Sequence, residues 1–180
     1  SMTKSIINNL VGLLVADGLL EVDAPAPVAA WRSADDPRSA ITLEHLLQMS
    51  SGLDFVEVYE PGSDATNMLF TATGAADYAI AAPLAHPPGS HVYYSSGPRN
   101  ILSRVGREKV GGTEAGMYQF MQSRLFGPLG MISMVMENDA SGTPVGSSFS
   151  YATARDWATL GQFWLQNGTW QGRQLLPAGW

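Results

Sequence analysis

The residues best suited to chemistry stand at the head of the chain, which opens SMTKSIINNL. Ser1 and Lys4 are three positions apart. Residues so spaced on a helix share a face, with Cβ atoms about 5–6 Å apart, so the amine can reach the hydroxyl. A serine hydroxyl is a weak nucleophile until a neighbouring base takes its proton, and an amine is that base only when neutral. Bringing a lysine from about 10.4 to near 7 takes about 4 kcal/mol of differential destabilisation of the charged form. Burial against an apolar helix and the positive end of the helix dipole both push that way. A blander reading fits the same letters: Ser1-Met2 as a cleavage remnant plus a start codon, and Lys4 as a solvated charge. Further along, YYSSGPRN places Tyr94 on a loop just before a helix, where a phenol could relay protons between serine, lysine and leaving group. Tyr93 and Tyr94 read equally well as packing aromatics with wet hydroxyls.

Positioning the Ser-Lys pair falls to the first element. From Ser5 to Leu20, Ile6, Ile7, Leu10, Val11, Leu13 and Leu14 recur at helical spacing and Asp17-Gly18 closes the run, which predicts a largely buried helix. Residues 22–38, broken by Pro25, Pro27 and Pro37, read as a surface connection. ITLEHLLQMSSGL offers Thr42 as N-cap, Glu44 in the first turn and Gly52 as terminator. Short helices are expected around 65–70 and 75–82. The turn AHPPGSHVYYSSG then leads to a helix with Pro98 in its first turn and Ile101, Leu102 and Val105 on its apolar face. Thr113 caps another, with Met117, Phe120, Met121 and Leu125 inward, and 131–137 is a strand candidate. The last helix is expected over 154–166, and GTWQGRQLLPAGW reads as a hairpin or extended tail. Helices outnumber short strands, which makes the fold class α+β and mainly helical. The chain starts inside a catalytic-looking motif and stops soon after a helix without polar fraying, so the expectation is one incomplete domain over 1–180.

Composition narrows the partners. With 180 residues, 45% of them hydrophobic and 14% charged, the chain can bury one sizeable core. Its net charge of −6 and singly scattered Lys and Arg offer no basic stripe, which argues against nucleic acid. No apolar run reaches the roughly 18 residues of a membrane span, and no signal-peptide pattern opens the chain. The absence of cysteine removes disulfides, thiolate nucleophiles and thiolate zinc sites. His45, His86 and His91 show no metal-binding spacing, so neither metal nor cofactor is expected. A cysteine-free chain suits export without establishing it, and periplasm, secretion and cytoplasm all stay open.

Taken in order, SMTK, ITLEHLLQMSSGL, PPGSHVYYSSGPRNIL, LFGPLGM and GSSFSYATARDWATLGQFWLQNGTWQGRQLLPAGW resemble the penicillin-recognising serine hydrolases over nearly the whole chain. The resemblance is strongest to the group of class C β-lactamases, DD-peptidases, related esterases and 6-aminohexanoate-dimer hydrolases. It implies a β-lactamase/penicillin-binding-protein-like fold, a helical domain beside an antiparallel sheet largely missing from this chain. It also implies a cofactor-free acyl-enzyme mechanism on an ester, amide or β-lactam bond of a small molecule. Carried over residue by residue, Ser1 matches the nucleophile, Lys4 the motif lysine and Tyr94 the tyrosine of the Tyr-x-Asn or Tyr-x-Ser motif. Ser96 matches that motif's third residue, which in the family faces substrate and the lysine.

Departures from the family pattern shape the expectation. The third motif, Lys-Thr-Gly or His-x-Gly on a strand beside the nucleophile, is not found. Lys109-Val110-Gly111 falls at a helix end, where lysine and glycine complement the dipole and cap the helix. The strands that the family has before the serine and after the last helix are missing too. In the family one oxyanion donor comes from the third-motif strand, and losing one such donor costs about 100- to 1000-fold in rate. The 180 residues alone are therefore expected to be weak or inactive, with the remainder of the parent chain or another subunit completing an active hydrolase. Tyr-Ser-Ser, less amide-like than Tyr-x-Asn, leaves room for an esterase or amide hydrolase. Trp31, Phe55, Tyr59, Phe149 and Trp157 are candidates to line a cleft or, more commonly for large aromatics, to fill the core. Two alternatives stand: a catalytically silent binding or regulatory module of the same fold, and an N-terminal nucleophile hydrolase using the Ser1 α-amino group. The latter needs a strand where the sequence is helical.

Overall fold

Ten of the fourteen residues of helix α1 (Thr3–Ala16) are buried, and from Ile6 to Leu14 only Asn8 is not. A helix apolar almost all round belongs at the centre of a core. It ends in a Schellman motif: Gly18, at φ 70°, sends its N–H to Val15 O while Leu19 N reaches Leu14 O at 2.9 Å. Each fully buried Ile or Leu contributes about 2 kcal/mol, so the run from Ile6 to Leu14 fixes the helix and the lysine it carries. The computed structural model describes residues 2–180.

The connection from 22 to 42 is not purely a surface segment. It holds 3-10 turns at Ala29–Trp31 and Pro37–Ala40, and Trp31 is buried with its indole N–H donated to Ile80 O at 3.1 Å. Helix α2 (Leu43–Leu47) starts at Thr42, whose hydroxyl accepts from His45 N while His45 Nδ1 accepts from Thr42 N. It stops well before Gly52, because Met49 already has φ 57°. Gly52 has another use: a Cβ there would run into the His86 carbonyl, so glycine lets the 49–53 turn lie against the segment leading to Tyr94.

Helices α3 (Asp64–Phe70) and α4 (Ala75–Ile80) precede α5 (Gly97–Lys109), which packs on both α4 and α1. Helix α6 (Glu114–Met121) runs through a π-helical turn at Gln122–Phe126 into the short α7 (Gly127–Leu129). Of the 131–137 strand candidate only Val135–Met136 forms a strand, β1, antiparallel to β2 (Ser150–Tyr151). After α8 (Ala154–Leu165), β3 (Thr169–Trp170) and β4 (Arg173–Gln174) form the hairpin expected from GTWQGRQ. Among the described residues these two ribbons are the only sheets. The core is helical, built where Leu10 and Leu14 meet Ile101, Leu102, Phe126, Leu160 and Phe163. Phe55 and Trp31 belong to that core and Trp157 packs against it; none of these three serves as a cleft wall beside Lys4. Phe149 lies against Phe70, ring centroids 6.0 Å apart, and Tyr59 is exposed.

Candidate active site

Lys4 occupies the first turn of α1 and is only 5% exposed. Its Nζ donates to Ser96 Oγ and to Ser147 O, both at 3.2 Å, and lies 4.9 Å from the centroid of the Tyr94 ring. Burial holds its pKa below the usual lysine range; the Glu57 carboxylate opposes that fall and the Arg99 guanidinium adds to it. A neutral amine has two N–H donors and one lone pair. Two acceptors use both donors and leave the lone pair to take a proton.

Helix α5 brings the partners to Lys4. Ser96 is its N-cap residue yet makes no side-chain cap bond, although serine commonly does so there. Its hydroxyl turns away, accepting from Lys4 and donating to Glu57 Oε1 at 2.6 Å, while its N–H donates to Glu57 Oε2 at 2.7 Å. Ser96, Asn100 and Ser103, at i, i+4 and i+7, form a buried polar face on α5. Ser103 Oγ donates to Pro144 O at 2.6 Å and Asn100 Nδ2 to Ser147 Oγ at 3.1 Å, which pins the 144–147 segment so that the Ser147 carbonyl points at Lys4.

The structure thus brings together Lys4, Tyr94 and Ser96. Ser1 lies outside the described residues. Tyr94 is about half exposed and, with Lys4, Asn9, Arg99, Trp164 and Trp180, lines a cleft of about 460 Å³. Arg99 is buried, donating to Leu47 O at 2.7 Å, with Nε and Nη1 unpaired among the described residues. Lys109 ends α5, exposed and remote from the lysine of the site. His86 and His91 stack with centroids 4.2 Å apart, and no group of three metal-ligating side chains occurs among the described residues. No described helix is long and apolar enough to cross a membrane.

Glu57 and the Ser147 carbonyl were not singled out by sequence. Glu57 is one of two acidic residues in the loop FVEVYE, 39 positions from Ser96, and the Ser147 contribution is main chain, which no side-chain motif marks. Tyr59, two residues on, donates its phenol proton to Glu57 Oε1 at 2.9 Å. Burial and that bond hold the Tyr59 pKa above the ordinary tyrosine value.

The family model for Beta-lactamase matches residues 1–179. The chain belongs to the β-lactamase family. Its fold is β-lactamase-like, and the 180 residues hold the helical portion of it. A Bacillus anthracis protein provisionally named 6-aminohexanoate-dimer hydrolase superposes with a TM-score of 0.80 at 22% identity, over 99% of this chain and 50% of that one. The D-amino acid amidase of Ochrobactrum anthropi SV3, in complex with L-phenylalanine amide, gives 0.70 at 21% identity, over 97% of this chain and 56% of that one. A penicillin-binding protein homologue from Caulobacter crescentus gives 0.70 at 18% identity, over 98% of this chain and 57% of that one. The β-lactamase-family chain therefore spans little more than half the length of these structures. No curated protein sequence matches it. The family is one of serine hydrolases.

Proposed function

We propose that this β-lactamase-family chain carries the nucleophile-bearing half of a serine hydrolase that works through an acyl-enzyme on an ester, amide or β-lactam bond. The observation that supports it most is the state of Lys4: buried, its donors engaged by Ser96 Oγ and Ser147 O, beneath the Tyr94 ring. In this reading Ser1 Oγ attacks the carbonyl carbon as its proton passes to the Lys4 lone pair. The lysine proton then travels through the Tyr94 phenol to the departing alkoxide or amine, and the acyl group stays on Ser1. Water, deprotonated by the same base, attacks the ester carbonyl; the bond to Ser1 Oγ breaks, Lys4 returns the proton to that oxygen, and the acid is freed. Ser96, fully buried, contributes by fixing Lys4. One structural neighbour is named an amidase, which favours an amide among the candidate substrates. Helix α1 starts at Thr3, where an N-terminal nucleophile hydrolase needs a strand, which weighs against that alternative.

The test is adduct mapping on the chain together with the flanking sequence its gene encodes. Incubation with a fluorophosphonate or a fluorescent penicillin should label Ser1. Label should vanish in Ser1→Ala, and slow by about 100-fold or more in Lys4→Ala and Tyr94→Phe, as general-base and relay losses do. An unlabelled Ser1 in a folded protein overturns the proposal in favour of a silent binding module.

A further inference from the structure

We propose that Glu57 is the positioning residue of this site: by taking the Ser96 hydroxyl proton it obliges Ser96 to face Lys4 with a lone pair. The inference rests on the catalytic reading of Lys4 given above. Serine has one hydroxyl proton. At 2.6 Å from Glu57 Oε1 that proton is committed to the carboxylate, so toward Lys4, 3.2 Å away, Ser96 Oγ has only acceptor capacity. Remove the carboxylate and the hydroxyl is free to rotate and donate to the amine. It would then cap the lone pair that must receive the nucleophile's proton. Glu57 itself is held from three sides: Ser96 N–H on Oε2 at 2.7 Å, Tyr59 O–H on Oε1 at 2.9 Å, and its own N–H on Tyr93 Oη at 3.3 Å.

Glu57 also acts on Lys4 by charge. The groups facing the amine are Glu57 from the 55–59 loop, Arg99 from α5 and the Tyr94 ring from the loop before α5, with Tyr59 behind Glu57. Glu57 favours the ammonium; Arg99 and burial favour the free amine. The balance sets the pH above which the base is available. Glu57→Gln should therefore have two separable effects: the acid limb of the pH–rate profile moves to lower pH, and the plateau falls because the amide NH₂ now donates to Ser96 and turns its proton toward Lys4.

The chain has two lysines, Lys4 and Lys109, so ¹³Cε-lysine NMR resolves the titration of the base without any turnover. Lys4 should titrate below the ordinary lysine range, and Glu57→Gln should move it further down. In kinetics on a p-nitrophenyl ester with the flanking sequence present, Glu57→Gln should lower the kcat/KM plateau about 10- to 100-fold, the scale of a misplaced catalytic group. In a Ser96→Ala background the same change should still move the acid limb but leave the plateau where it was. Glu57→Asp, which keeps the charge and shortens the reach, should lower the plateau without moving the limb, and covers the case of a Gln variant that does not fold. A Lys4 titration unmoved by Glu57→Gln, or a plateau loss just as large without the Ser96 hydroxyl, overturns the role of Glu57 even if Ser1 takes the covalent label. An unlabelled Ser1 instead brings down the catalytic reading and this inference with it.

Discussion

At the scale of single residues, the site depends on keeping a lysine where its charge is unwelcome. Water, which would stabilise the ammonium, is largely excluded, and the carbonyl and hydroxyl that contact Nζ are neutral acceptors. The cost appears as a pH dependence of stability. Because the folded pKa of Lys4 is lowered, the unfolded chain binds more protons between that value and the ordinary lysine value near 10.4, so wild-type stability rises with pH across that window. Lys4→Met has no such contribution. Whatever offset its lost hydrogen bonds cause, the stability of Lys4→Met relative to wild type should therefore decline as pH rises from the lowered folded value towards about 10.4. Urea unfolding of both proteins at several pH values checks this, and a constant difference would mean that Lys4 titrates normally. The same variant should lose at least about 100-fold in hydrolysis, as expected for removal of a general base.

At the scale of elements, the site is an agreement between α1, α5 and the 144–147 segment. Gly146 makes the last of these possible. A Cβ there would meet the Arg99 carbonyl and come within 3.0 Å of Ser103 Cβ, so the segment rests directly on the α5 backbone. Gly146→Ala should cost about 1–3 kcal/mol, the range for overpacking a filled site. It should also lift the Ser147 carbonyl from Lys4, freeing one amine donor and changing the Lys4 titration, although residue 146 touches neither substrate nor base. A fall in stability with an unchanged Lys4 resonance would separate packing from positioning. The contrast with the sequence is instructive here. Helices α1, α5 and α8 were legible because their apolar residues repeat every three or four positions over two turns or more. The SMTK and YYSSG motifs were legible because each is local. Glu57, Asn100, Ser103 and the Ser147 carbonyl were not, since the contacts that tie them to the site, to Ser96, Ser147, Pro144 and Lys4 in turn, each span 39 or more positions. Trp31 was hidden for a related reason: three prolines mark its neighbourhood as a loop, while the tertiary pocket that receives its ring leaves no periodic trace.

At the scale of the whole molecule, unpaired donors beside Lys4 mark a place where this β-lactamase-family chain could take further acceptors. Buried polar groups are nearly always hydrogen-bonded, yet Asn9 Nδ2 and Arg99 Nε and Nη1 have no partner among the described residues, and both side chains line the cleft beside Lys4. Burial already holds the Arg99 pKa below the usual arginine range. The solved relatives are nearly twice as long, so the simplest source of acceptors is the remainder of such a domain. Arg99→Met tests this by comparing contexts. In the 180-residue chain the substitution removes a guanidinium with two unpaired nitrogens, Nε and Nη1, and loses the bond to Leu47 O. With the flanking sequence present it should also break a completed buried pair, a loss typically worth about 3–5 kcal/mol. The Leu47 bond is lost in both contexts and cancels. Chemical denaturation should therefore show Arg99→Met costing about 3–5 kcal/mol more in the longer chain than in residues 1–180 alone. Equal costs would mean that the guanidinium stays unpaired in both, and that the acceptor it faces arrives with the substrate.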